Sequence, residues 1–319
     1  MTKLAILADI HGVWPALESV LQDLGQFNPD RIIVVGDLIN LGPFSRQVVI
    51  HAVENDWVVV RGNNELALLD YDTPRAPDQW QDLTQFAMLG WLDRQIDDDL
   101  KDTIGAWPDT LQLRFRDAPP IRLVHGSARS SIEPIYRTAT DKEIEDLLAG
   151  TAEHVVVAGH THLPMQRTSG KWRILNPGSV GMPLDGDGSA SYMLLEGDRN
   201  GWHPTFRRVC FDYTPVFREF ERQGFVEECG VIGYLVVETL RTARPQVTPF
   251  LKWRDQLYPD EPLSTEMLQE YAESAAWEEY THPAYQVGRA TTWQARSCQR
   301  QATTETMPTS STYSIKVEP

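Results

Sequence analysis

The 319-residue sequence predicts an α/β fold in which two sheets are sandwiched between helices, followed by a helical C-terminal extension. Three observations carry this expectation. Short all-apolar runs alternate with amphipathic stretches through the first third of the chain, the pattern of a parallel sheet covered on both faces. Between about residues 110 and 211 the texture changes to strand-like runs separated by turns, the pattern of a second and more antiparallel sheet. Beyond about Asp212 the apolar residues return to helical spacing.

Taken in order, "KLAILA" (3–8) reads as a buried strand. "WPALESVLQDLG" follows as a helix, with Pro15 suited to the first turn, Leu17, Val20, Leu21 and Leu24 on one stripe, and Gly25 as the stop. "RIIVVG" is the second strand, "SRQVVIHAVEN" a helix, and "WVVV" the third strand. Residues 78–105 read as helical. The strand runs "TLQLRF", "IRLVHG", "HVVVAG", "QRTSGKWRILN", "SYMLLEG" and "HPTFRRVCF" then form the second sheet, with one helix at "TDKEIEDLLAG". In the extension, "LSTEMLQEYAESAAWEEY" opens with a Ser264 cap and a Leu263–Leu268 staple. The expected division is a body over 1–213, a helical extension over 214–281 and a tail over 282–319. That tail is rich in Thr, Ser and Gln, lacks an apolar period and is expected to be disordered.

Composition narrows the function. With 29 basic and 45 acidic residues the net charge is −16, which repels polyphosphate backbones and weighs against an extended nucleic-acid track. A small anionic substrate remains compatible where local cations overcome that field. Cys210, Cys229 and Cys298 are unclustered and odd in number, which points to a reducing compartment and no zinc finger. The apolar run before Asp9 is too short for a signal-peptide core, and no run approaches the roughly 20 residues of a membrane span. A soluble cytoplasmic protein is expected, without membrane partners.

Five short signatures stand where a strand ends and a loop begins. They are "ADIHG" (Asp9, His11), "VGDLINLG" (Asp37), "RGNNE" (Asn63), "LVHGS" (His125) and "AGHTH" (His160, His162). Open α/β sheets bind ligands outside the carboxyl ends of their strands, so these residues converge on one rim. Hard oxygens and imidazole nitrogens without a thiolate suit Mn²⁺, Fe, Zn²⁺ or Ni²⁺. Seven ligands are too many for one ion and fit two ions about 3.5–4 Å apart that share a carboxylate. Each signature alone is ordinary loop chemistry. Five in series at strand ends are not.

The series D-x-H, G-D, G-N-x-E, H-G, G-H-T-H resembles the calcineurin-like metallophosphoesterases, and more narrowly their small bacterial and archaeal phosphodiesterases. "LADIHGVWPALESVL", "AGHTHLPM" and "LNPGSVGMPLDGDGSASYMLLE" extend the likeness over residues 1–213. The resemblance implies the four-layer αββα sandwich of that family. It implies a first metal held by Asp9, His11, Asp37 and His162, and a second by Asp37, Asn63, His125 and His160, with Asp37 bridging. It implies Mn²⁺ first among the candidate ions, a metal-bridged hydroxide as nucleophile, and His125 and Asn64 beside the phosphate. Gly62 is expected to permit the turn that aims Asn63.

The sequence departs from the family in places. Protein-phosphatase-like members carry a histidine where Asn64 stands and an Asp-Arg pair where this chain has Asn40-Leu41. An amide is no acid near neutral pH, so a phosphodiesterase or pyrophosphohydrolase is expected over a phosphomonoesterase. Val13, Met182 and Leu184 replace polar residues and predict a more apolar rim. Alternatives are a dinucleoside polyphosphate hydrolase, a nuclease that trims ends, and a scaffold or regulatory protein on the same fold. The substrate expected is a small phosphate ester or nucleotide-like molecule, and the C-terminal helices are candidates for a homo-oligomer contact.

Weaker candidates have structural explanations. His51 falls mid-helix, His154 opens a strand, His203 precedes Pro204, and His282 at the tail border is expected to be exposed. The 176–181 loop "NPGSVG" reads as a support for the His160/His162 loop. Glu65 reads as a first-turn acidic residue with a sufficient structural role.

Overall fold

The computed structural model describes residues 1–286, and the expectation of disorder from 287 onward lies outside the described residues. The first sheet is built from β1 (Thr2–Leu7), β2 (Arg31–Val35) and β3 (Val58–Val60) in parallel, joined through α1 (Trp14–Leu24) and α2 (Ser45–Glu54). Helices α3 (Asn63–Asp70), α4 (Leu83–Asp93) and α5 (Asp98–Ala106) lead into the second sheet. That sheet contains β4 (Thr110–Leu113), β5 (Ile121–Val124), β6 (Val155–Val157), β7 (Met165–Ser169) and β8 (Trp172–Asn176), with α6 (Asp141–Leu147) between β5 and β6.

Sheet membership differs from expectation in one respect. Strands β9 (Ala190–Asp198) and β10 (Gly201–Val209) belong to the first sheet, in the order β10-β9-β1-β2-β3. β9 runs antiparallel to β1, with Met193 opposite Ile6. The reason is burial: β9 is apolar on both faces and needs covering elements on both, whereas half-exposed β10 carries Pro204 and closes the edge. The second sheet, in the order β4-β5-β6-β8-β7, is mixed rather than mainly antiparallel. β5, β6 and β8 are parallel, and the two edge strands are antiparallel.

The two-residue period of each strand sorts side chains into layers. From β1, Leu4 and Ile6 meet Ile121, Leu123 and Val157 between the sheets. Ala5 and Leu7 face the other way, onto Leu17 and Val20 of α1. On the far side of the second sheet, Val124, Val156 and Ile174 are covered by Ile144 and Leu148. The result is the four-layer αββα arrangement.

The extension consists of α7 (Thr214–Gln223), α8 (Phe225–Thr242), α9 (Val247–Leu257), α10 (Thr265–Glu273) and α11 (Ala276–Tyr280). Ser264 caps α10 by accepting from Met267 N. These helices share the apolar layer outside the first sheet: Trp91 of α4 packs on Phe225 with ring centroids 4.6 Å apart, and Phe220 is buried beside them. α8 is kinked at Gly230, whose φ of +54° favours glycine. Residues 282–286, counted with the tail by the sequence, lie within the described structure. Residues 283–285 form a 3-10 turn, and His282 stacks on Tyr136 at 3.9 Å instead of standing free in solvent. No helix among the described residues is long and apolar enough to cross a membrane.

Candidate metal centre

All five signatures lie just past the carboxyl ends of β1, β2, β3, β5 and β6. Parallel pairing continues into the loops: Asp9 N donates to Gly36 O and His11 N to Asp37 O, both at 3.0 Å, so the Asp9 and Asp37 loops advance together. Asp9, His11, Asp37, His160 and His162 all have φ between +51° and +66°. Left-handed backbone at non-glycine residues costs on the order of 1 kcal/mol each and persists where surrounding structure enforces it. Here it turns five side chains toward one point.

Two groups of side chains that could each hold a metal ion result. Asp9, His11 and His162 form one and Asp37, His125 and His160 the other, with the ligand atoms of each set within 4.8 Å of one another. Asp37 stands between them, its Oδ2 3.8 Å from His11 Nε2 and 3.3 Å from His125 Nε2. Asn63 Oδ1 lies 3.0 Å from His125 Nε2, which places it with the second set.

The hydrogen bonds determine which atoms face inward as lone pairs. His11 Nδ1 donates to Ile39 O at 3.2 Å, and His162 Nδ1 to Met182 O at 2.5 Å. A carbonyl only accepts, so each Nδ1 carries the proton and each Nε2 presents a lone pair. Those two Nε2 atoms are 3.1 Å apart, with Asp9 Oδ1 3.4 Å from that of His162. Acceptors crowded this closely in a buried site repel one another unless a cation lies among them. The donor set therefore fits divalent metal ions.

Titration points the same way. Burial lowers His11, and burial together with His11 lowers His162 well below the usual imidazole value. Burial, with His125 nearby, pushes His160 down to about 4. Burial also opposes charge on His125, but the Asp37 and Asp9 carboxylates outweigh it and push that imidazole up to about 10. Burial raises Asp9, with the Asp37 carboxylate adding to it. Burial opposes charge on Asp37 too, yet His125 and His11 hold its carboxyl well below the usual range. Without metal, His125 supplies the positive charge this acidic centre requires.

Glu65 does more than occupy a first turn. Its buried carboxylate accepts from the backbone N–H groups of Asp37 (2.9 Å), Leu38 (2.8 Å), Ile39 (3.3 Å) and Gly62 (2.6 Å). It thereby clamps the Asp37 loop to the Asn63 turn. Gly62 has an ordinary φ of −95°, so its role is not the turn that was expected. A Cβ there would lie 2.1 Å from Asp37 Oδ1, so glycine is required for close approach.

The two departures from the family pattern touch each other. Asn40 Nδ2 donates to Asn64 Oδ1, and Asn64 Nδ2 donates to Asp37 Oδ2, each at 2.6 Å. The chain fixes the orientation of the Asn64 amide, and neither of its two amides titrates. The 176–181 loop acts as the expected support: Asn176 Nδ2 donates to Gly159 O, and Ser179 Oγ to Asp9 O, both at 2.7 Å.

Above the centre lies a cavity of about 440 Å³. Met182 and Leu184 line it as expected, whereas Val13 is buried in the helical layer away from the rim. Its far wall comes from the extension, through Val247, Lys252, His282 and Tyr285. The sequence leaves open whether the extension packs on the sandwich, closes over the site or makes a dimer contact, and it assigns none of these residues to a wall. His51 is held between Trp14 and Trp57, and His154 and His203 are exposed, so none of the three joins the centre.

Residues 2–200 match the family model of the calcineurin-like phosphoesterase superfamily domain. The phosphodiesterase YfcE of Escherichia coli K12 is 29% identical over 200 residues, covering 62% of this chain and 89% of YfcE. The uncharacterized protein MJ0912 of Methanocaldococcus jannaschii is 21% identical over 244 residues, 72% of this chain and 96% of its own length. A metallophosphoesterase structure from Sphaerobacter thermophilus superposes with a TM-score of 0.61 at 24% identity, covering 76% of this chain and 99% of the other, a likeness of fold.

Proposed function

The chain belongs to the calcineurin-like phosphoesterase superfamily, and from that premise we propose that it hydrolyses phosphodiester or phosphoanhydride bonds with two divalent metal ions. Asp9, His11, Asp37 and His162 would hold one ion, and Asp37, Asn63, His125 and His160 the other. The observation that carries the reading is the pair of imidazole lone pairs facing each other at 3.1 Å beside the Asp9 carboxylate. When bound, the ions supply Lewis acidity at the phosphoryl oxygens and a nucleophile drawn from water at neutral pH.

The chain's own groups define the rest. Asn64 offers an N–H donor to a phosphoryl oxygen, held in place by Asn40. Neither amide can protonate a leaving alkoxide. Leaving groups that are stable as anions, such as an aryl oxide, a nucleotide or a phosphate, are thus favoured over simple alkyl monoesters.

The test is direct. Purified protein is assayed for bound metal and, with Mn²⁺ added, for turnover of an aryl phosphodiester against an alkyl phosphomonoester. Bound metal and faster diester turnover are expected, both abolished in Asp37→Ala. Absence of metal and of turnover would refute the enzyme reading and favour a scaffold. Faster monoester turnover would overturn only the argument from Asn64.

A further inference from the structure

The cavity over the metal centre is completed by a part of the chain beyond the matched family region. Its floor is the ligand cluster with Asn63 and Asn64. One lip, from the sandwich, is apolar: Leu41, Met88, Met182 and Leu184. The opposite wall brings Val236 from α8, Val247 and Pro249 from the start of α9, and the aromatic residues Tyr280, His282 and Tyr285.

This wall is fixed. His282 stacks on Tyr136 of the sandwich at 3.9 Å with the rings 15° from parallel, and Tyr285 meets the Tyr136 edge at 5.9 Å. Trp277 Nε1 donates to Pro245 O at 2.8 Å, tying α11 to the loop before α9. Gln286 Nε2 donates to Glu278 O and Thr281 O, which closes the 3-10 turn back onto α11. Burial and the nearby Lys252 lower His282, so its ring is a neutral platform at pH 7.

Size and chemistry together select an occupant. A cavity of about 440 Å³ is of the size that takes a compact organic molecule. A phosphate held on the cluster shares one cavity with the apolar lip and the aromatic corner. We propose that residues 245–285 form a substrate-selecting wall, and that the Tyr136–His282–Tyr285 corner lining the same cavity as the metal centre receives the aromatic or apolar ester group of a compact phosphodiester. This deepens the phosphoesterase reading and depends on it.

The experiment compares two non-hydrolysable anions, phenylphosphonate and methylphosphonate, on the full-length Mn²⁺-loaded protein by calorimetry. Both share the phosphonate head and differ in the ring. Phenylphosphonate is expected to bind about tenfold tighter, as burial of one ring face predicts. Tyr285→Ala and, on a separate element, Val247→Ser should each cut that ratio to about twofold or less and leave methylphosphonate affinity unchanged. Equal affinity for the two anions in the wild type, or an intact ratio in both variants, would overturn the wall proposal while the metal centre stands. Failure of the protein to bind metal or either anion would overturn the phosphoesterase reading, and the wall proposal with it.

Discussion

Glu65→Gln replaces one carboxylate oxygen with an amide nitrogen at the point where two metal-ligand loops are joined. Glu65 Oε2 accepts from Asp37 N and Gly62 N, and Oε1 from Leu38 N and Ile39 N. The glutamine oxygen can serve one pair only, and its NH₂ then faces two N–H donors. Hydrogen bonds to a charged group contribute about 1.5–3 kcal/mol each, so losing two costs about 3–6 kcal/mol. Part of this is returned, because burial and the Asp37 carboxylate push Glu65 up to about 7 and the amide escapes both. The net expectation is a loss of about 2–4 kcal/mol.

The assay is urea unfolding of the metal-free full-length protein at pH 8.5, above that value, so that the carboxylate is ionised. Mn²⁺ affinity is measured in parallel and should fall at least about tenfold, since supporting hydrogen bonds orient the ligands. A stability loss below about 1 kcal/mol with unchanged Mn²⁺ affinity would refute the clamp. It would mean that the four N–H groups are satisfied without a charge.

Two other outcomes follow from the site's charges. His125, at about 10 without metal, must give up its proton to become a ligand. Mn²⁺ binding at pH 7.5 should therefore release protons and strengthen as pH rises, visible as binding enthalpies that vary with buffer ionisation enthalpy; a buffer-independent enthalpy would contradict it. Lys252 is the one lysine or arginine among the described residues lining the cavity, in a chain of net charge −16. Lys252→Met should raise KM for an anionic diester about three- to tenfold and flatten its salt dependence, with kcat preserved; an unchanged KM at low salt would remove Lys252 from substrate capture.

Legibility in the sequence followed chemical distinctiveness and locality. The convergence of Asp9, His11, Asp37, Asn63, His125, His160 and His162 is readable because each is of a type that can ligate metal and stands where an apolar strand stops. Glu65 was undervalued because a glutamate in a first helical turn has a local explanation, while its acceptor work for Asp37, Leu38 and Ile39 is tertiary. β9 was assigned to the wrong sheet because an all-apolar run states how deeply it is buried and not which strand it joins. His282 reads as a tail residue because its stacking partner, Tyr136, is distant in sequence, in the loop between β5 and α6. The left-handed backbone at the ligands has no sequence signal beyond a preference of Asp, Asn and His for that region.

Asn40 and Asn64 read separately as two missing groups, and together they form one unit. Asn40 Nδ2 donates to Asn64 Oδ1, so the second amide is turned with its N–H side toward Asp37. Installing a histidine at 64 alone would place an imidazole next to an amide that cannot hold it as a charged donor. Asn64→His is accordingly expected to raise alkyl monoester turnover only a few-fold, whereas Asn40→Asp with Asn64→His should raise it about 10²-fold or more, the scale of general-acid assistance. Diester turnover should change much less, because an aryl oxide leaves without a proton. The measurement is the ratio of monoester to diester kcat/KM across wild type, both single variants and the double variant. Additive effects would show that the two positions act independently. A double variant no better than Asn64→His would show that leaving-group protonation does not limit this site, and the diester preference would then have to come from the cavity wall alone.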